Sequence, residues 1–293
     1  MDFDNWDEVR TAFQVARIGT VSGAADALGV HHATVIRHID ALESRLGVKL
    51  FQRHARGYTP TDAGLDLLQV AQATADQFEQ LAGRLRGHGA AMTGELVVTT
   101  IDTLSPLVTP VVSAFQEEHP DLIIRLITDA RVFRLEYGEA HVAIRAGNAP
   151  DEPDNVVQAL YTQQSGLYAH RDYIAAHGMP DTEAKLAEHR FIGPTEETHR
   201  AKFYRWLFQN LPHQAITFRT SEIRTAMDAL KAGAGIGFMP LWAVRDLPEL
   251  VQVRPPIAEW DAELWLVTHV DLHRTAKVQA FTHTLKEAAK DWP

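Results

Sequence analysis

Gly19-Thr20-Val21-Ser22-Gly23-Ala24-Ala25-Asp26-Ala27-Leu28-Gly29 is followed, after Val30, by His31-His32-Ala33-Thr34-Val35-Ile36-Arg37-His38-Ile39-Asp40-Ala41-Leu42-Glu43-Ser44-Arg45-Leu46. Ser22 carries a hydroxyl that can accept from an orphan backbone N–H, which predicts an N-cap and a helix over Gly23–Leu28. Gly29 stands where a left-handed helix terminator belongs. In the second stretch Val35, Ile39, Leu42 and Leu46 fall on one face of a longer helix. Two helices joined by a three- or four-residue turn containing glycine form a helix-turn-helix, and the small Ala24 and Ala25 let them approach closely.

The flanking sequence extends this unit. Trp6, Val9, Phe13 and Ala16 recur at helical spacing on the N-terminal side. On the other side, Leu50 to Pro60 has short extended stretches around a Gly-bearing turn and predicts a small β-wing with Arg53 and Arg56 near its tip. Thr61 then caps a further helix, with Asp62 favourably placed in its first turn. Leu68, Ala71, Ala75, Phe78, Ala82 and Leu85 follow in that helix at alternating steps of three and four, an a/d stripe that must bury itself against something. Gly87 to Gly94 predicts a hinge.

Past Gly94, β-rich runs alternate with helical ones: Leu96–Thr100, Leu122–Thr128, His141–Arg145, Gly166–Ala169, Ala215–Thr220, Gly235–Met239 and Leu264–Val270, with helices expected over Pro106–Glu118, Thr198–Gln209, Ser221–Gly233 and Arg274–Lys290. Such alternation implies an α/β region with a largely parallel sheet.

Composition narrows the function. The 293 residues are 45% hydrophobic and 23% charged, ordinary for globular protein, and suffice for two units. There is no cysteine, so disulfides, thiolate nucleophiles and Cys-based zinc sites are excluded. The acidic N-terminus has no apolar core of a signal peptide, and no apolar run is long enough for a membrane span, so a cytoplasmic location is expected. The net charge of -10 runs against nucleic-acid binding until its distribution is read. Residues 1–93 hold 9 Lys+Arg against 11 Asp+Glu, and the excess acid lies beyond them. Between Val30 and Pro60, Arg37, Arg45, Lys49, Arg53 and Arg56 outnumber Asp40 and Glu43, a modest basic patch.

The N-terminal third resembles the LysR-type transcriptional regulators. The resemblance rests on Gly19 to Leu28, on Val35-Ile36-Arg37-His38-Ile39-Asp40-Ala41-Leu42-Glu43, on Leu46-Gly47-Val48-Lys49-Leu50-Phe51-Gln52-Arg53, and on Thr61-Asp62-Ala63-Gly64. Looser matches continue through Val142-Ala143-Ile144-Arg145-Ala146-Gly147 and Gly233-Ala234-Gly235-Ile236-Gly237 with Pro240. The resemblance implies a winged helix-turn-helix over residues 1–60, a linker and dimerisation helix over 61–90, and a two-lobed effector-binding domain of periplasmic-binding-protein type over 91–293. It further implies antiparallel pairing of linker helices in a homodimer, commonly a homotetramer. The chain departs from the family at His31-His32-Ala33, where Ser-Gln-Pro is usual, and at His141, where Asp is usual. The stretch Ala130–Gly138 looks short for the usual helix.

The function read from this is a sequence-specific DNA-binding regulator modulated by a small-molecule effector. The alternative is a two-lobed solute-binding protein with no regulatory role, which the helix-turn-helix speaks against. No serine nucleophile elbow, phosphate loop or metal motif argues for an enzyme, and no cofactor or metal is expected. The glycine run at Gly233 follows a helix and leads into a strand, the reverse of a dinucleotide site.

On double-stranded DNA, the residues expected to make contact are His31, His32, Thr34, Arg37 and His38 at the start of the recognition helix, with Arg53 and Arg56 on flanking phosphates. Arg37 is favoured because a guanidinium reads guanine bidentately. The effector is expected at the C-terminal ends of parallel strands, near Thr100, Ile101, Asp102, Thr103, Thr128 and Arg145. There Ser105-Pro106 is expected to cap and begin a helix. Asp102 and Asp129 disfavour a simple carboxylate ligand unless Arg145 offsets them.

Overall fold

The computed structural model of the chain describes residues 5–54, 57–85, 92–129 and 131–293. Asn5 caps α1 (Trp6–Ile18), which Gly19 terminates at φ 80. That left-handed residue leaves Thr20 extended, and the Thr20 hydroxyl accepts from Gly23 N at 3.2 Å. The cap of α2 (Val21–Leu28) is therefore Thr20 rather than Ser22, two residues earlier than the sequence pattern suggested. Gly29 ends α2 in the left-handed region, and α3 (His32–Leu46) follows. Val35, Ile39 and Leu42 of α3 are fully buried against Val9, Ala12 and Val15 of α1 and Ala24 of α2.

The wing is the antiparallel pair β1 (Phe51–His54) and β2 (Gly57–Pro60), in register from Phe51↔Pro60 to His54↔Gly57. Tyr58 N donates to Gly19 O at 2.8 Å and pins the wing to the α1–α2 turn. Thr61 then caps α4 (Asp62–Leu85), its hydroxyl accepting from Gly64 N at 3.2 Å. The expected hinge after α4 falls largely outside the described residues. Helix α4 packs along α1 and also meets the C-terminal region, where Gln69 Nε2 lies 3.0 Å from the ring nitrogens of buried His269 and 3.2 Å from Asp271 Oδ2.

Two five-stranded sheets follow, each the centre of one lobe. Lobe I holds β3 (Gly94–Thr100), α5 (Ser105–Glu118), β4 (Leu122–Thr128), β5 (Val142–Ala146) and the first crossover strand β6 (Asn155–Gln163). Lobe II holds β7 (Ser165–His170), α6 (Arg171–His177), α7 (Glu183–Ala187), β8 (Phe191–Pro194), α8 (Lys202–Asn210), β9 (Ile216–Thr220), α9 (Ile223–Lys231), β10 (Ile236–Pro240), α10 (Leu241–Val244) and β11 (Leu250–Arg254). The chain returns to lobe I through β12 (Ala262–His269), α11 (Val270–His273) and α12 (Ala276–Ala289). Strand orders are β4-β3-β5-β12-β6 and β11-β7-β10-β8-β9. Val108 and Phe115 of α5 and Phe281 and Leu285 of α12 bury one face of the first sheet. Phe203 and Leu207 of α8 and Ala226 and Leu230 of α9 cover opposite faces of the second.

Neither sheet is largely parallel. The β3–β4, β3–β5, β8–β9 and β8–β10 pairs are parallel, whereas β12 runs antiparallel to β5 and β6, and β7 antiparallel to β10 and β11. The antiparallel strands are those that carry the chain between lobes. Ala130–Gly138 has room, within its described residues, for a single 3₁₀ turn at Leu135–Tyr137.

Gly57 has φ +147, and a Cβ there would collide with the Gly19 carbonyl that accepts from Tyr58. Gly57→Ala is expected to destabilise the wing by about 1–3 kcal/mol. Thermal unfolding and operator binding of the full chain measure it; unchanged values for both would show that the wing does not depend on this approach.

Candidate DNA interface and effector cleft

The start of α3 is the exposed end of the recognition helix. His31 occupies its N-cap without a side-chain bond, so the first-turn N–H groups stay open to an acceptor. His31, His32 and Arg37 are exposed and Thr34 is half-buried. Arg45, the other arginine on α3, is paired with Glu8, whereas Arg37 has no partner among the described residues. His38 points the other way. Its Nδ1 lies 2.9 Å from Thr11 Oγ1, which already donates to Asp7 O, so the imidazole is the donor and ties α3 to α1.

The turn from α3 into the wing is built on Glu43, whose side chain is 1% exposed. One carboxylate oxygen accepts from the backbone N–H groups of Leu50 (3.0 Å) and Phe51 (3.2 Å), the other from Lys49 Nζ (2.6 Å) and Arg53 Nη2 (3.0 Å). Burial alone would raise the Glu43 pKa; the Lys49 hydrogen bond and the two backbone donors outweigh it and hold the carboxyl below the usual 4.5. Arg53 Nη2 also donates to Asp40 Oδ1 at 2.6 Å, and its guanidinium lies 5.3 Å from the Tyr58 ring centroid. Arg53, expected on a phosphate, is thus found between two carboxylates; Arg56 lies outside the described residues.

The strand registers locate the second site. Thr100, Thr128 and Ala146 end β3, β4 and β5 on the edge of lobe I where β6 leaves at Gln163 and β12 returns at Ala262. In lobe II, Pro194, Thr220 and Pro240 end β8, β9 and β10 on the edge where β7 enters at Ser165. The two edges therefore face each other across two chain crossings. Open α/β sheets bind ligands at such carboxyl ends. Of the residues expected there, Thr100 is buried with an unpartnered hydroxyl, Ile101 and Thr103 are half-buried, and Asp102 and Thr128 are exposed. Ser105 lies inside α5, hydroxyl to Thr109, and Leu104 holds the cap position, because Asp102–Leu104 forms a preceding 3₁₀ turn.

Charges of both signs stand at these strand ends. Arg145 donates to Phe133 O (2.9 Å) and Glu152 (3.2 Å), so the cation that was to offset the acids is committed. Arg219 lies 3.9 Å from Glu197, which also accepts from His213. Asp102, Glu196 and Glu222 have no ion-pair partner among the described residues, and neither have the exposed Arg200 and Arg224 that lie beside Glu196 and Glu222 in sequence. Glu196 lies in a lobe II loop that periodicity did not single out, and Glu222, inside the stretch expected as a helix from Ser221, is the N-cap residue of α9. His141, where the family usually has Asp, accepts from Val97 N at 2.9 Å, a structural role at the N-terminal end of β5, opposite to the cleft edge.

On α4, Leu68, Ala71 and Ala75 are half-buried and Phe78 is 58% exposed, its ring edge-on to Trp6 of α1 at 6.1 Å. The side chains of Ala82 and Leu85 lie outside the described set. A groove of about 990 Å³ runs between α1, α4 and the β3–β4 edge, lined by Trp6, Phe13, Phe78, Ile123 and Arg125 among others.

The bacterial regulatory helix-turn-helix model of the lysR family matches residues 6–65, and the LysR substrate binding domain model matches residues 89–290. The chain belongs to the LysR-type family. An HTH-type transcriptional repressor of Pseudomonas aeruginosa is 26% identical to this LysR-type chain over 99% of it and 94% of the relative. The regulator IlvY of Escherichia coli is 26% identical over 86% and 87%. Among solved structures, ArgP from Mycobacterium tuberculosis superposes with a TM-score of 0.73 at 20% identity, covering 97% of each chain. Full-length LysG from Corynebacterium glutamicum, solved with bound effector Arg, gives 0.69 at 18%, covering 98% of each. The chain is an effector-modulated DNA-binding transcription regulator with an N-terminal helix-turn-helix and a C-terminal effector domain.

Because the Glu43 carboxyl is held low in the folded state, its stabilisation is full above pH 4.5 and is lost as pH falls through its lowered pKa. Calorimetry of the full chain and of Glu43→Gln is expected to show a gap in melting temperature near neutral pH that closes below pH 4.5. A gap independent of pH would mean that the charge of Glu43 contributes nothing.

Proposed function

We propose that α3 enters the major groove with His31, His32, Thr34 and Arg37 at base edges, and that a small polar effector binds between the lobes. The observation that carries the first part is the unpartnered, exposed Arg37 beside an uncapped helix start. The second rests on the two sets of strand ends that face one opening, Thr100, Thr128 and Ala146 of one lobe and Pro194, Thr220 and Pro240 of the other, and on the buried, unpartnered hydroxyl of Thr100. LysG, whose fold is shared, was solved with a small polar effector, arginine.

The working form is a homodimer or homotetramer in the cytoplasm. The seam is the α4 stripe of Leu68, Ala71, Ala75, Phe78, Ala82 and Leu85, set antiparallel to its copy. Phe78 at 58%, Val70 at 61% and Trp6 at 59% exposure leave apolar surface that the chain's own packing does not cover. Pairing would set two α3 helices on one DNA face, each reading half of an inverted repeat.

Arg37→Ala is expected to cost about 1–3 kcal/mol of operator binding and little on scrambled DNA; unchanged operator affinity with an intact fold would reject the placement. For the cleft, a thermal-shift screen of small polar metabolites is expected to find one that stabilises the chain, and Thr103→Ala/Thr128→Ala to abolish its shift. A shift that survives the double substitution would count against this site.

A further inference from the structure

Arg53 presents a choice between two roles. Its position in the wing suits a phosphate, yet one nitrogen, Nη2, already makes two short contacts: 2.6 Å to Asp40 Oδ1 and 3.0 Å to Glu43 Oε2. Asp40 and Glu43 are both on the recognition helix, and Asp40 is exposed one turn beyond Arg37 on the same helix. A carboxylate there would face the phosphate-lined walls of the groove, where like charge is penalised. Asp40, Glu43, Lys49 and Arg53 together form a neutral group of two acids and two bases. Moving Arg53 onto a phosphate would uncover Asp40 at the moment the helix meets DNA, and would take one of two cations from a carboxylate that is 1% exposed. Removing a partner from a buried charge costs more than an exposed contact gains.

The same side chain is also a strut. Its guanidinium lies 5.3 Å from the ring centroid of Tyr58, whose N–H holds the wing to Gly19 O. A four-residue hairpin is marginal alone, so its angle to α3 depends on such ties.

We propose that Arg53 serves operator binding as a positioning residue: it neutralises Asp40 and Glu43 and ties the wing to α3, and it makes no phosphate contact. Sequence spacing gives no sign of these pairings because both acids lie on another element, 10 and 13 residues away.

The test is fluorescence anisotropy of the full chain on an operator fragment across a salt series, for wild type, Arg53→Ala, Asp40→Asn and the double variant. Arg53→Ala is expected to weaken binding about tenfold. Its slope of log affinity against log salt is expected to change by less than about half a unit, against the loss of about one that a phosphate contact gives. Asp40→Asn in the Arg53→Ala background is expected to recover most of the loss, since it removes the uncovered charge. Undiminished affinity in Arg53→Ala, a slope reduced by about one, or a double variant as weak as Arg53→Ala would overturn the proposal. Should Arg53→Ala unfold, Asp40→Asn alone decides, because Asp40 is half exposed and its loss leaves the fold intact. A salt slope within about half a unit of wild type supports positioning; a slope steeper by about one, from an arginine freed for a phosphate, overturns it.

Discussion

A single buried carboxylate holds the DNA-binding end of this molecule together. Glu43 sits where α3 must turn into the wing, and the turn leaves the N–H groups of Leu50 and Phe51 pointing inward without strand or helix partners of their own. Water cannot reach them, and an orphaned buried donor costs about 1–3 kcal/mol. The carboxylate satisfies both, and Lys49 and Arg53 balance its charge. Other close approaches follow from the turn so fixed. Thr61 donates from its hydroxyl to Lys49 O, Leu50 O accepts from Thr61 N, and a Cβ on Gly64 would collide with that same Leu50 carbonyl. The recognition helix, the wing and the start of α4 thus meet around one residue.

The regulatory half depends on a different constraint, the two chain crossings between lobes. Because β6 leaves and β12 returns at the carboxyl ends of β3, β4 and β5, and β7 enters beside those of β8, β9 and β10, both sets of loops are brought to one opening. Two crossings restrain the lobes less than a broad interface does, so differential binding to open and closed arrangements can shift their balance. The contact of Gln69 on α4 with His269 and Asp271 at the end of β12 ties that lobe to the linker helix physically. Any lobe movement that shifts β12 is therefore felt at α4.

Much of this was legible in the sequence, and the failures have physical causes. The α3 stripe of Val35, Ile39 and Leu42 is fully buried as its spacing demands. Gly235 was read as a tight helix-to-strand turn, and a Cβ there would strike Arg190 O. The crossover strand β6 was missed because most of its residues are half-buried and show no alternation, and β8 because its four residues, Phe191 to Pro194, are all buried and include a glycine and a proline. The antiparallel pairings follow from lobe topology, which local periodicity does not encode. At the DNA interface, exposure of Arg37 could be read from the helix, whereas the inward turn of His38 depends on Thr11, 27 residues away. Glu43 looked like a surface acid, since a buried charge in an amphipathic helix is recognisable only through its partners. Likewise Arg145 was expected near the effector, and its hold on Phe133 O and Glu152 is visible only in the fold.

The account as a whole stands on sequence-specific DNA recognition by a protein whose net charge is -10. Its most direct test is an equilibrium titration of the full chain against the DNA upstream of its own coding sequence and against a base-scrambled fragment of equal length, at one physiological salt concentration. The account predicts a ratio of affinities of at least about 10³ in favour of the upstream fragment. Equal affinities for the two fragments, or no binding to either, would contradict it.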